Sequence, residues 1–281
     1  MFRKGIFFFI ICMFVVGFFC YYYNRWKYLW AVAVPEQHYS VLKVQDDTLR
    51  VLMIGDSWAG IHSELNMDSF LSSKLEQRVQ CPVKVVSKGK GGEKSRGIYQ
   101  LMFQLGGYGT KHLLLTGTDY CIVLAGINDA AANLGTKQFC AHYRMILDFL
   151  LSNDIRPVVV EIPDVDIWTI YGDKPKKDLL VDYMKSIMVG CGMYNYHEYR
   201  DALFAMLQEE HLLEQVVYIP VNGWNGEGVK LNPSLFIEDK IHLNREGYMK
   251  LDICIATAIA NDLQQSQNST LVNHPVGKDT Q

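Results

Sequence analysis

The feature that most constrains this chain is a recurring pattern: short runs of aliphatic and β-branched residues, each followed by a longer stretch with helical spacing. Arg50–Ile54, Val83–Val86, Tyr120–Ala125, Pro157–Ile162 and Val216–Ile219 read as strands of the buried type. Between them, Ala59–Val79, Ser95–Gln104, Lys137–Leu151, Lys176–Val189 and His197–Glu210 carry helical patterns, and Arg245–Ala260 reads as a last helix capped by Asn244. Within Lys137–Leu151, Phe139, Tyr143, Ile146, Leu147 and Leu150 fall on one face. Such alternation specifies an α/β fold, a parallel sheet covered by helices on both faces. In such sheets ligands bind beyond the carboxyl ends of the strands, so a functional motif is expected just after a strand.

The amino terminus follows a different rule. Residues 6–23 are an unbroken apolar and aromatic stretch. As a helix it spans about 27 Å, close to the hydrocarbon thickness of a bilayer. Arg3 and Lys4 precede it, Arg25 and Lys27 follow it, and Tyr21, Tyr22, Tyr23, Trp26 and Trp30 crowd its distal end. Amphipathic rings favour that interfacial level. Ala31-Val32-Ala33 resembles a signal cleavage site, but the apolar core is long for a signal peptide and a charged aromatic stretch separates the two. The expectation is a single-pass anchor over residues 1–23, a connector over 24–48, a folded body over 49–262 and a loose polar tail over 263–281. Two basic residues on each flank leave the orientation undetermined by charge, and export of the body is the working expectation.

With 281 residues, 49% of them hydrophobic, the chain can bury a substantial core. A net charge of −3 and the lack of a basic stripe argue against nucleic-acid partners. The seven cysteines include no C-x-x-C pair, which excludes zinc-ribbon and thioredoxin-type readings and favours buried thiols. The histidines form no H-E-x-x-H or comparable ligand set, so no metal is expected, and the sequence carries no sign of another cofactor.

Four short motifs meet the after-a-strand requirement or complete it. Gly55-Asp56-Ser57 follows the first strand and opens a helix; alone it is as good a helix cap as a nucleophile. Gly89-Lys90-Gly91-Gly92 follows the second strand, where glycine lets a backbone N–H approach a substrate. Gly126-Ile127-Asn128-Asp129 follows the third, and an asparagine amide there can donate to an oxyanion. Asp239-Lys240-Ile241-His242 precedes the last helix. A serine hydroxyl needs an imidazole to take its proton, and the imidazole needs a carboxylate to fix its tautomer.

Taken together and in this order, the four blocks resemble the conserved blocks of SGNH (GDSL-type) hydrolases over roughly residues 49–262. The resemblance implies a three-layer α/β/α sandwich of flavodoxin-like type. It implies Ser57 as nucleophile, His242 as general base and then acid, and Asp239 as its orienter. It also implies an oxyanion hole made of the Ser57 and Gly92 N–H groups and the Asn128 amide. Ser87 departs from the asparagine common at the end of the second strand. His62, near Ser57 in sequence, is expected to be carried away by its helix to the surface or behind the site.

Substrate contacts are less defined. Lys88, Lys90, Lys94 and Arg96 surround the glycine loop, and Lys90 and Arg96 are candidate ligands for an anionic substrate. Trp224 either stacks on a sugar ring or pins its loop. The expected activity is hydrolysis of short acyl esters, O-acetyl groups on carbohydrate foremost. An O-acyltransferase of envelope polysaccharide, a lipid esterase or lysophospholipase, and a non-catalytic membrane-tethered binding module are the alternatives.

Overall fold

The computed structural model describes residues 2–31, 36–163, 165, 167–226 and 232–273. In chain order the elements are α1 (Phe2–Ala31), β1 (Leu49–Gly55), α2 (Ser57–Glu64), α3 (Met67–Val79), β2 (Val83–Gly89), α4 (Ser95–Leu101), α5 (Lys111–Leu114), β3 (Tyr120–Leu124), α6 (Ile127–Ala131), α7 (Thr136–Ser152), β4 (Arg156–Val160), α8 (Ile167–Tyr171), α9 (Lys176–Val189), α10 (Tyr196–Glu209), β5 (Val217–Ile219) and α11 (Arg245–Asn273).

The five strands form one parallel sheet in the order β2-β1-β3-β4-β5. β1 pairs with β2 through Val51↔Val85 and with β3 through Met53↔Ile122. Every residue of β3 is buried, as a central strand covered on both faces requires. Successive right-handed crossovers run in opposite directions from β1 and so place helices on opposite faces. α3 packs on α11 in one layer, and α7 packs between α4 and α10 in the other. The chain is therefore an α/β protein of doubly wound, flavodoxin-like topology, with its switch point between β1 and β3.

Departures from the sequence expectation are local. The helical run expected over Ala59–Val79 is broken into α2 and α3 at Asn66, whose φ of 56° is left-handed. Asparagine tolerates that conformation better than most residues. The last helix runs past Ala260 to Asn273, so the polar segment beginning at Gln264 starts as helix and not as a loose tail. Glutamine-rich sequence retains good helix propensity, which suffices once the helix is nucleated. Positions 274–281, the 32–35 segment containing part of the cleavage-like site, and positions 227–231 lie outside the described residues.

Helix α1 contains one window, Lys4–Tyr23, long and apolar enough to cross a membrane, and none of that window is buried against the body. Among the described residues all seven cysteines are free thiols.

Candidate active site

Local geometry at the end of β1 puts Ser57 at the sheet's edge. Gly55 closes the strand so tightly against β3 that a Cβ there would lie 2.4 Å from the Leu124 carbonyl oxygen. Only glycine fits. Asp56 then caps α2, its Oδ1 accepting from the Trp58 N–H at 3.0 Å. Ser57 is thus the first helical residue, and its own N–H has no acceptor within the helix.

The loop before α11 supplies the partners. Asp239 Oδ1 accepts from the backbone N–H groups of Ile241 (2.8 Å) and His242 (2.9 Å). Its Oδ2 accepts from His242 Nδ1 at 2.6 Å. That bond leaves Nε2 as the acceptor for the Ser57 hydroxyl, 2.8 Å away. Burial works against the Asp239 charge, but the His242 and Ile241 N–H groups and the imidazole outweigh it and hold the carboxyl below its ordinary value. Ser57, His242 and Asp239 therefore stand in one hydrogen-bonded line.

Asn128 comes from the turn after β3, where Gly126 has a φ of 124° that favours glycine. The Asn128 amide Nδ2 donates to Asp56 Oδ2 at 2.9 Å, which orients the side chain. One N–H of that amide remains for another acceptor. Burial pushes the Asp56 carboxyl up to about 7, against the opposing pull of the Trp58 N–H, His242 and Asn128. Asp129, next along, is fully buried and reaches the other way. Its carboxylate accepts from the Ser95 N–H (3.0 Å) and Ser95 hydroxyl (2.6 Å). Burial raises it to about 6 despite those bonds. Asp129 thereby ties the start of α4, and with it the glycine loop, to the turn carrying Asn128.

Gly92 has a left-handed φ of 71°, and its carbonyl accepts from Lys94 Nζ at 3.0 Å. Lys90 is held in an ion pair with Glu93 at 2.7 Å, so its charge is already engaged within the loop. Arg96 lies close enough to His142 in α7 for its charge, after burial, to help lower that imidazole to about 4. Trp224 is only 3% exposed and packs edge-on to Trp58, with ring centroids 6.1 Å apart. It pins its loop and offers no open face to a sugar.

Two features escaped the sequence reading. Trp58 donates its indole N–H to the Ile241 carbonyl at 3.1 Å and accepts at its own carbonyl from the Tyr248 hydroxyl at 2.9 Å. It thereby cross-links the serine's helix to the histidine's loop. A tryptophan directly after the serine was the available signal. His62 is the second. Of its two expected places, surface or behind the site, the surface is excluded: it is fully buried between Asp252 (Nε2 to Oδ1, 3.0 Å) and Asp68 (Nδ1 to Oδ1, 3.0 Å), with the Ser87 hydroxyl 2.8 Å from Nδ1. Burial opposes its charge, but the two carboxylates prevail and raise it to about 9.

A parallel sheet of this topology with a serine, imidazole and carboxylate in line at its switch point is the constellation that a serine hydrolase uses. The sequence profile of the GDSL-like lipase/acylhydrolase family matches residues 53–250, and the chain belongs to that family. Among solved structures it resembles a GDSL-like lipase from Bacteroides thetaiotaomicron VPI-5482. That match has a TM-score of 0.50 and 15% identity, covering 85% of this chain and 98% of that one. It also resembles Axe2, an acetylxylan esterase from Geobacillus stearothermophilus, with a TM-score of 0.50 and 14% identity over 75% of this chain and 94% of that one. At these identities the likeness concerns the fold. No curated protein matches the chain.

Proposed function

We propose that this protein is a membrane-tethered serine esterase that removes short acyl groups, O-acetyl above all, from carbohydrate. The observation that carries the reading is the 2.8 Å contact between Ser57 Oγ and an imidazole whose other nitrogen is fixed by Asp239. Ser57 Oγ attacks the ester carbonyl while His242 takes its proton, forming a C–O bond and a tetrahedral oxyanion. The Ser57 N–H, the Gly92 N–H and the Asn128 amide receive that oxyanion. As the carbonyl re-forms, the bond to the leaving alcohol breaks and His242 returns the proton to it. Water, activated by the same imidazole, then hydrolyses the acyl-enzyme and restores the Ser57 hydroxyl.

The preference for acetyl carbohydrate esters draws support from the fold shared with an acetylxylan esterase. Helix α1 is the tether in this reading, with the body on the outer side of the membrane. The test is turnover of aryl esters of increasing acyl length by the full chain in detergent, beside Ser57→Ala. Fastest hydrolysis of the acetate, lost in the variant, is expected. Faster hydrolysis of long acyl chains would favour a lipid substrate. Turnover that persists in Ser57→Ala would overturn the nucleophile.

A further inference from the structure

Helix α9 is built inside out. On a surface helix of a soluble domain the apolar stripe faces the core and the polar residues face water. Here Asp182 and Ser186 are the buried residues, while Leu180 (58% exposed), Tyr183 (54%) and Ile187 (60%) stand open. Leu180, Tyr183, Met184 and Ile187 recur at i, i+3, i+4 and i+7 and so form one continuous stripe. The inverted face is not a packing accident, because Asp182 is fully used. It accepts from the Tyr194 hydroxyl (2.6 Å), Lys174 Nζ (2.8 Å) and Lys185 Nζ (3.0 Å). Those bonds lock the helix with its apolar side outward. Trp168, in the preceding α8, is also half exposed.

One member of the stripe, Met184, also lines a cleft against α1. An open apolar cleft of about 830 Å³ is bounded on one side by Met184 and on the other by Met13, Phe14, Phe18 and Tyr21 of α1. Phe14, Phe18 and Tyr21 belong to the distal half of the window able to cross a membrane, which ends at Tyr23, and Met13 directly precedes that half. At 1.5 Å per residue, Met13 to Tyr21 lie about 3 to 15 Å inside that end. An amphipathic helix resting on a bilayer buries its apolar face by about 5–10 Å. The two depths agree. Lys176 and Lys177, both exposed at the start of α9, suit anionic headgroups at the same level.

We infer that α9 is an interfacial helix that lays Leu180, Tyr183, Met184 and Ile187 into the leaflet at the distal end of α1, giving the body a second attachment to the membrane. α8 and α9 follow the carboxyl end of β4, the same edge of the sheet that carries Ser57. The attachment therefore holds the serine's edge toward the bilayer. This inference depends on α1 lying in a membrane and not on the ester chemistry, so either can fail without the other.

The test places a photoreactive residue in the full chain, reconstituted in vesicles of phosphatidylethanolamine and phosphatidylglycerol. The substitutions are Tyr183→benzoylphenylalanine, Ile187→benzoylphenylalanine and, as control, Gln77→benzoylphenylalanine. Gln77 is an exposed residue near the end of α3, at the opposite edge of the sheet. After irradiation, mass spectrometry reads the adducts. Phospholipid adducts at 183 and 187 at least tenfold above those at 77 are expected. Lipid adducts no more abundant than at 77 overturn the inference. So do adducts confined to a second copy of the chain, or to peptides of α1, which would make those the true occupants.

Discussion

One histidine lies within helix α2 and another faces its first residue, and each sits between a serine and a carboxylate. His242 has Ser57 at 2.8 Å and Asp239 at 2.6 Å; His62 has Ser87 at 2.8 Å and Asp252 and Asp68 both at 3.0 Å. The residue types are the same, and the surroundings separate them. His242 is partly open to solvent and holds one carboxylate on one nitrogen, so the other nitrogen is left to accept a proton. His62 is closed off and held by a carboxylate on each nitrogen, which drives it to the doubly protonated form. An imidazolium has no lone pair to offer a hydroxyl. In the proposed reading one constellation serves proton transfer, and the other is an ion cluster joining α2 to α3, β2 and α11.

The contrast can be broken by substitution, most sharply at the open site. Ser57→Ala is expected to lower kcat by on the order of 10⁵- to 10⁶-fold, and adding His242→Ala should cost little more, because the pair acts as a unit. Steady-state turnover of an aryl acetate measures both, and additive losses would break the coupling. Asp239→Asn keeps the shape but frees the imidazole to adopt the wrong tautomer, so a drop of about 10⁴-fold is expected in the same assay.

His62→Ala should act on stability instead. It leaves the buried Asp252 without its partner, at a cost of about 3–5 kcal/mol in urea unfolding of the detergent-solubilised chain. Turnover per folded molecule should fall less than tenfold. The pH dependence follows from the raised imidazole. Its contribution is fully present below its unfolded value near 6.5 and is lost as pH rises through about 9. The wild-type unfolding midpoint should therefore decline across that window and His62→Ala should flatten the decline; an equal slope in both would remove the cluster as the cause.

Asn128→Ala is expected to cost about 3 kcal/mol of transition-state stabilisation, a fall of roughly 10²- to 10³-fold in kcat with KM little changed. The smallest effect belongs to Ser87→Ala. It should lower stability by about 1 kcal/mol and leave turnover intact, and a fluorophosphonate should label Ser57 but never Ser87.

Much of this arrangement was legible in the sequence because it depends on short-range pattern. Apolar runs of four to six residues can only be buried strands here, and all five contribute strands to the sheet. Ser57, Asn128 and the Asp239–His242 pair were legible because each sits in a motif placed by a strand end or a helix start. His62 was not, since its partners Asp252 and Ser87 are 190 and 25 residues away and nothing in the local pattern links them. The same holds for Trp58, whose partner carbonyl is 183 residues on. Helix α9 shows the limit differently. Its span, Lys176–Val189, is plain from the sequence, but Asp182 could be recognised as its buried side only once Tyr194 and Lys174 were seen to meet it. The substrate expectations met a related limit, because charge and ring type do not reveal that Lys90 is occupied by Glu93 or that Trp224 is covered.

The indole bridge from Trp58 to Ile241 also has a consequence in time. The serine is translated early and its histidine nearly two hundred residues later, and neither can be positioned until the closing helix has docked. A growing chain, however well its first strands have formed, carries a serine with no base beside it. In the proposed reading ester cleavage is thereby withheld until the Asp239–His242 loop has been made and α11 has docked, and a product truncated before Ile241 should be inert however much of the sheet it contains.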